Sequence, residues 1–420
     1  MTLAVKAVTF GKEVVTASRF GTGDDFDAFV VALLVPGFIV NVLAGSLGAA
    51  LVPVYVDLRE RRGARASAQL LAAAVAWTAA GLAVAMIALT AAAPSYLPFI
   101  AAGFDAAKRG LAAGLMWWLV PMVVAMGVRT LWGAALVADE KFGVVSLSAA
   151  ATPAITIAVL IWAPGLGIHG LALAMVAGAV FEAACLGWLL RSTGVGLLPP
   201  GMRDDPELRR LLWYWLPVAA GSVLMASSTV VDQAMAAALL PGSVATLEYG
   251  NRLVAVITSL GTGALGVAVV PYFSLLVSRG DMGGLRHVVR RWLLIVGLAS
   301  LPVVAVLTVW SAPIVALVYQ RGSFTGADTA LVADVQAFLA LQIPFYVAGI
   351  VLVRLVTALG STRALTWISL VNTLLNAVLN LVLIRYMGLP GIALATSLMY
   401  LASFTMLLLH VRRRHAVRIP

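Results

Sequence analysis

"LLAAAVAWTAAGLAVAMIALTAAA", residues 70–93, runs for 24 positions without a charged side chain. A helix rises ~1.5 Å per residue, so roughly 20 apolar residues cross the ~30 Å hydrocarbon core of a bilayer. The stretch reads as a spanning helix, and so does "LLIVGLASLPVVAVLTVWSAPIVALVY" at 293–319. The composition extends that reading to the whole chain: 62% of its 420 residues are hydrophobic and only 11% are charged, with a mean hydropathy of +1.02. Such values exclude a soluble globular class and describe a polytopic membrane protein. Lys6, Lys12 and Glu13 interrupt any apolar core of a cleavable signal, so the first segment is expected to remain as a helix. The single cysteine, Cys185, leaves no partner within the chain for a disulfide and no cysteine metal site.

Twelve spans are expected, near 2–20, 27–56, 68–93, 110–138, 146–163, 168–190, 211–239, 246–277, 292–319, 330–358, 364–386 and 390–411. Of the lysines and arginines between them, eighteen fall in the even-numbered connections and the tail, among them Arg59, Arg61, Arg62, Arg65, Arg286, Arg290 and Arg291. Five, Arg19, Lys108, Arg109, Arg321 and Arg385, fall in the odd-numbered ones. By the positive-inside rule both termini are expected in the cytoplasm. The net charge of +10 is thus spent on topology, and no nucleic-acid partner is implied.

The chain also repeats itself. "LGAALVPVY" at 47 returns as "LGVAVVPYF" at 265, and "GIHGLALA" at 167 returns as "GLPGIALA" at 388. The unit is six spans long, and an even number makes the two copies run in the same direction through the membrane, a construction used by secondary transporters. The expected fold is all-α: two pseudo-symmetric six-helix lobes, 1–190 and 211–420, around a central cavity. The polar segment "RSTGVGLLPPGMRDDPELRR" (191–210) joins them as an exposed linker. Duplicated helices serve a channel or an inert bundle equally well, but a cavity between repeats is where transporters bind substrate.

Charges within the spans narrow the chemistry. "ATLEYGNRLVAVITSL" (245–260) places Glu248 and Arg252 one helical turn apart among apolar residues. An isolated charge at a helix centre costs ~2.5–3.5 kcal/mol on insertion scales, so such groups pair, snorkel or face water. The pair can neutralise itself within the helix, and the guanidinium can also grip a phosphate with two parallel hydrogen bonds. Arg129 and Arg354 occupy matching places in the two repeats, where snorkelling or tying helix ends together is expected. Asn372, Asn376 and Asn380 recur every fourth residue and form one stripe. Packing hydrogen bonds between helices account for such a stripe. With Asp232 and Thr396 the same oxygens also suit a small monovalent cation, and Asp232 alone suits a proton. No phosphate-binding loop is present, His169, His287, His410 and His415 are dispersed, and no enzyme signature is found.

"YGNRLVAVITSLGTGALGVAVVPYFS" (249–274), "VYQRGSFTGADT" (318–329), "VLVRLVTALGSTR" (351–363) and "FGTGDDFDAFVVALLVP" (20–36) resemble signature segments of the MurJ/MviN family of lipid II flippases. That family lies within the superfamily of multidrug and oligosaccharidyl-lipid exporters, and the resemblance covers essentially the whole chain. It implies a multi-pass protein of the bacterial inner membrane, acting as a monomer. The implied substrate is an undecaprenyl-diphosphate-linked sugar, lipid II first, moved from the inner to the outer leaflet by alternating access during peptidoglycan synthesis. Precursors of exopolysaccharide or O-antigen and cation-coupled drug antiport are the alternatives. Arg252 falls on the family's cavity arginine and Asp27 on its motif aspartate. Lys6 and Lys12 stand where arginines are expected, and Glu13 where aspartate is. Asn41 is the most polar residue of "GFIVNVLAG", where lipid II flippases usually carry an arginine. The expected substrate-binding set is Lys6, Lys12, Asp27, Asn41, Glu248 and Arg252. The expected cation set, for sodium or with proton coupling in its place, is Asp232, Asn372, Asn376 and Thr396.

Overall fold

The structure, a computed structural model, describes residues 2–192, 206–359 and 361–414. Most of the expected linker, 193–205, lies outside the described residues, as does Arg418. Among the described residues there are helices and no strands, as membrane burial demands, because a helix satisfies its backbone hydrogen bonds within one segment.

The first half holds α1 (Thr2–Phe20), α2 (Asp24–Ile39), a π-helical turn (Val40–Gly45), α3 (Ser46–Ala91) and α4 (Ala93–Ile100). It continues with α5 (Ala106–Ala138), α6 (Phe142–Ser148), α7 (Ala151–Trp162), α8 (Gly167–Ser192) and α9 (Pro206–Ala237). The second half holds α10 (Ser243–Ser278), α11 (Met282–Val309), α12 (Ser311–Tyr319) and α13 (Gly326–Ala340). It ends with α14 (Ile343–Ala358), α15 (Thr362–Met387) and α16 (Leu389–Arg414). By length and composition, nine helical stretches among the described residues can cross a membrane. One of them, Asp24–Ala91, is 68 residues long. At ~1.5 Å per residue that is about 100 Å of helix, enough for two crossings. The helix is broken at Gly63, whose φ of 82° is open to glycine and strained for other residues. Gly63 sits in the arginine-rich segment 57–67 expected to connect spans two and three. α1 carries Lys6, Lys12, Glu13 and Arg19 and is too charged to qualify on composition.

The helices group into two contact units. The first is Met1–Gly242 with Arg321–Phe324, and the second is Ser243–Gln320 with Thr325–Pro420. In the first, α5 packs against α2, α3 and α8, α7 against α1 and α8, and α9 against α3. Close approach there depends on small residues, the usual device of helix packing in lipid. A Cβ on Gly178 of α8 would sit 2.5 Å from the Thr152 Cα of α7. In the second, α10 packs on α13 and α14, α14 on α16, and α15 on α16.

The internal repeat is visible in two backbone hydrogen bonds of the first unit. Gly103 N donates to Ala237 O at 3.1 Å, and Ser323 N donates to Ser18 O at 2.8 Å. The donors lie in equivalent loops, after α4 and after α12, and the acceptors lie near the ends of α9 and α1. Donors 220 residues apart and acceptors 219 apart give the same displacement as the sequence repeat. Each of these loops therefore seats on the opening helix of the other repeat.

Candidate functional site

Three constellations of charged and polar groups stand out. The first gathers where loops 21–23, 101–105, 238–242 and 321–324 meet, all within the first unit. Three aspartates, Asp24, Asp25 and Asp27, occupy the first turn of α2, where carboxylates favour the helix N-terminus. Asp27 is only 1% exposed. Its Oδ2 accepts from Lys108 Nζ at 2.8 Å and from Gly242 N at 2.6 Å. Lys108, in the first turn of α5, also donates to Asp24 Oδ1 at 2.5 Å and lies 4.1 Å from the Phe104 ring centroid. One buried carboxylate thus joins the ends of α2 and α5 to the loop before α10.

Sequence reasoning carried Asp27 as a motif residue and Lys108 only as a topological charge. The available signal was that the acid-rich "GTGDDFDAF" and Lys108 both fall at the same expected face of the membrane.

α1 carries the next group. Lys12 Nζ lies 2.7 Å from Glu13 Oε1, with both side chains largely buried. Lys6 is half-buried one turn and a half earlier on α1. Asn41 lies in the π-helical turn and is exposed. A π turn widens the helix and recurs at functional positions. Beside it, Trp215 Nε1 of α9 donates to Ser46 Oγ at 2.7 Å. Arg129 of α5 meets Glu182 of α8 at 2.8 Å, and Glu182 Oε1 also accepts from Thr152 N of α7 at 3.3 Å. That contact ties three helices together, the helix-tying alternative for Arg129. Its repeat counterpart Arg354 is exposed.

The second unit holds the Glu248–Arg252 pair. Arg252 Nε donates to Glu248 Oε1 at 2.9 Å, and the two side chains are 18% and 25% exposed. The pair forms as the one-turn spacing expects, on an α10 that packs against α13 and α14. The guanidinium carbon lies 5.7 Å from the Tyr249 ring centroid.

The asparagine stripe of α15 runs along the face toward α16. Asn376 and Asn380 are fully buried, whereas Trp367, Val371, Leu374 and Val378 on the other side are exposed. Asn372 Nδ2 donates to Ser403 Oγ of α16 at 2.9 Å. Asn372 Oδ1 is buried and has no hydrogen-bond partner. Thr396 returns its hydroxyl to Ile392 O at 3.0 Å. Asp232 is half-buried on α9 in the first unit, while the other three expected cation ligands lie in the second. The oxygens of Asn372, Asn376 and Thr396 are of the kind a hard monovalent cation takes.

Comparison with known proteins assigns the frame. The family model described as "Lipid II flippase MurJ" matches residues 16–420. A "Probable lipid II flippase MurJ" of Synechocystis sp. is 26% identical over 99% of this chain and 80% of the relative. The "Lipid II flippase MurJ" of Burkholderia cenocepacia is 23% identical over 98% of this chain and 82% of its own length. Among solved structures, a lipid II flippase MurJ in an inward closed conformation superposes with a TM-score of 0.82 at 20% identity, covering 98% of this chain and 86% of that one. A multidrug resistance MATE family transporter of the MOP superfamily also reaches 0.82, at 17% identity, over 99% of this chain and 95% of that one. At such identities the structural likeness establishes an all-helical, polytopic membrane fold.

Proposed function

The chain belongs to the lipid II flippase MurJ family, and from that premise we propose that it moves lipid II from the inner to the outer leaflet of the bacterial inner membrane. The observation that carries this reading beyond family membership is the ion pair of α10. A guanidinium is kept charged in an apolar helix by Glu248, which takes its Nε–H at 2.9 Å. A guanidinium carries five donors in a planar fork, and a diphosphate is the densest negative charge on a polyprenyl-linked sugar. Arg252 is the principal diphosphate ligand, and Lys6, Lys12 and Asn41 are carried as further substrate contacts on the family resemblance alone.

Asp27 supports this cycle from outside the substrate path. Its bonds to Lys108 and to Gly242 hold the ends of α2, α5 and α9 together at the face expected to be periplasmic. Alternating access requires that this face open once per turnover, so the cluster acts as the closure on that side. Both termini are cytoplasmic on the arginine asymmetry, the working unit is a monomer, and no bond of the substrate is made or broken. Sodium, or a proton on Asp232, supplies the driving gradient. Asn372, Asn376 and Thr396 of the second unit offer oxygens to such an ion, Asn372 Oδ1 being buried among them, and Asp232 is carried as its carboxylate on the family resemblance alone.

Drug antiport shares the fold but gives Arg252 no anion to bind. Transport of an exopolysaccharide precursor shares the diphosphate and differs in the sugar. Replacement of the native flippase in cells depleted of it separates these readings: restored growth and cell shape support lipid II, and lysis despite membrane insertion refutes it.

A further inference from the structure

Arg252 has a second support besides its carboxylate. Side chains on a helix lean toward its N-terminus, so Arg252 lies back over the residues three and four positions earlier, Tyr249 and Glu248. Its guanidinium carbon is 5.7 Å from the Tyr249 ring centroid, within the range at which a cation is attracted to an aromatic face. The ring is itself fixed. Tyr249 is fully buried, and its centroid lies 5.2 Å from that of Tyr319, also fully buried, at an interplanar angle of 52°. Tyr319 is the last residue of α12, so the ring pair fastens α12 to α10. At the next position a Cβ on Gly250 would sit 2.9 Å from Val335 Cγ1, so α10 is pressed onto α13 at the same level. Tyr249 therefore has almost no freedom to turn.

We infer that Tyr249 is a positioning residue of the anion site: braced by Tyr319, its ring sets the plane of the Arg252 guanidinium and so holds the fork ready for the two parallel hydrogen bonds it gives a phosphoryl group of the diphosphate. The inference rests on the reading of Arg252 as the diphosphate ligand. Arginine carries several rotatable bonds, and the carboxylate on Nε restrains the edge of the guanidinium rather than the tilt of its face. Two restraints from different directions, an anion at the edge and a ring at the face, fix both the position and the tilt of the fork.

The test uses the purified full chain in nanodiscs, with farnesyl diphosphate and farnesyl monophosphate as probes and affinity read by calorimetry. Position 249 is replaced by phenylalanine and by phenylalanines of increasing fluorination, which keep the shape of the ring while draining its negative face. Tyr249→Phe should bind farnesyl diphosphate within about twofold of wild type, and affinity should then fall stepwise to ~3- to 30-fold weaker across the fluorinated series. Farnesyl monophosphate, whose phosphoryl oxygens accept the same two hydrogen bonds, should weaken in parallel. In an Arg252→Gln background the series should be flat. Affinity that ignores fluorination in the wild-type background overturns the role of Tyr249, and if Arg252→Gln still abolishes binding, the diphosphate site itself stands. Failure of the wild-type chain to bind farnesyl diphosphate overturns both.

Discussion

Consider removing one partner from the buried Asp27–Lys108 contact. Asp27 is 1% exposed and accepts two hydrogen bonds on one oxygen, so Lys108→Met leaves a carboxylate compensated by the Gly242 amide. Stripping the partner from a buried ion costs about 3–5 kcal/mol. The converse change is milder. After Asp27→Asn, Lys108 keeps Asp24, whose side chain is 65% exposed and whose contact is correspondingly screened. The loss is then a charge-assisted hydrogen bond, about 1.5–3 kcal/mol. The double variant Asp27→Asn/Lys108→Met buries no unmatched charge and should be less destabilised than Lys108→Met alone. Reversible SDS unfolding of the four proteins gives the cycle, with an expected coupling of ~2 kcal/mol or more. Single losses below ~0.5 kcal/mol that simply add in the double would refute the idea that this contact holds the helix ends together.

Other outcomes follow from the same geometry. Gly322 has φ of 59°, and an added Cβ would collide with Ser18 O. Gly322→Ala should therefore destabilise by at least ~2 kcal/mol in SDS unfolding, whereas Gly81→Ala, inside α3 with nothing within 4 Å, should be neutral or stabilising by up to ~1 kcal/mol. Cysteines introduced at Arg62 and Arg286 should resist membrane-impermeant thiol reagents in intact cells, and labelling of both would reverse the expected topology. Asp232→Asn should weaken sodium-dependent transport without lowering the protein level. Transport indifferent to sodium and to that change would leave the asparagines of α15 as packing contacts.

Long apolar helices were legible because apolar length is a one-dimensional property: twelve spans were expected, and nine helical stretches among the described residues are long and apolar enough to cross a membrane, one of them long enough for two crossings. Breaks inside a span were not. The reading of 292–319 as a single span passes over the start of α12 at Ser311, and that of 330–358 passes over the turn between α13 and α14. No charge or glycine marks either break. At the first of them Ser311 donates to Ala333 O of α13 at 2.6 Å, a partner that only the fold supplies. Local pairs were legible too: Glu248 and Arg252 are one turn apart, and a helix brings them together whatever surrounds it. Lys108 and Asp27 are 81 residues apart, and their contact depends on how α2 and α5 pack. The same limit hid Tyr319, which reaches Tyr249 across 70 positions of chain. The repeat was read from sequence, but the way each repeat's loop seats on the other's first helix was not, because backbone hydrogen bonds leave no compositional trace.

The central claim is that Arg252 is charged and held in the membrane to grip the diphosphate of lipid II. It is tested most directly by lipid II appearance in the outer leaflet, measured in cells where this chain is the sole flippase, for wild type, Arg252→Ala and Glu248→Gln at matched protein levels. Loss of a charge-assisted contact in a partly desolvated site should cost about 1.5–3 kcal/mol, roughly ten- to hundredfold in binding. The account predicts that Arg252→Ala inserts and folds but exposes no lipid II, while Glu248→Gln retains measurable flipping. A well-expressed Arg252→Ala protein that flips lipid II at the wild-type rate would contradict it.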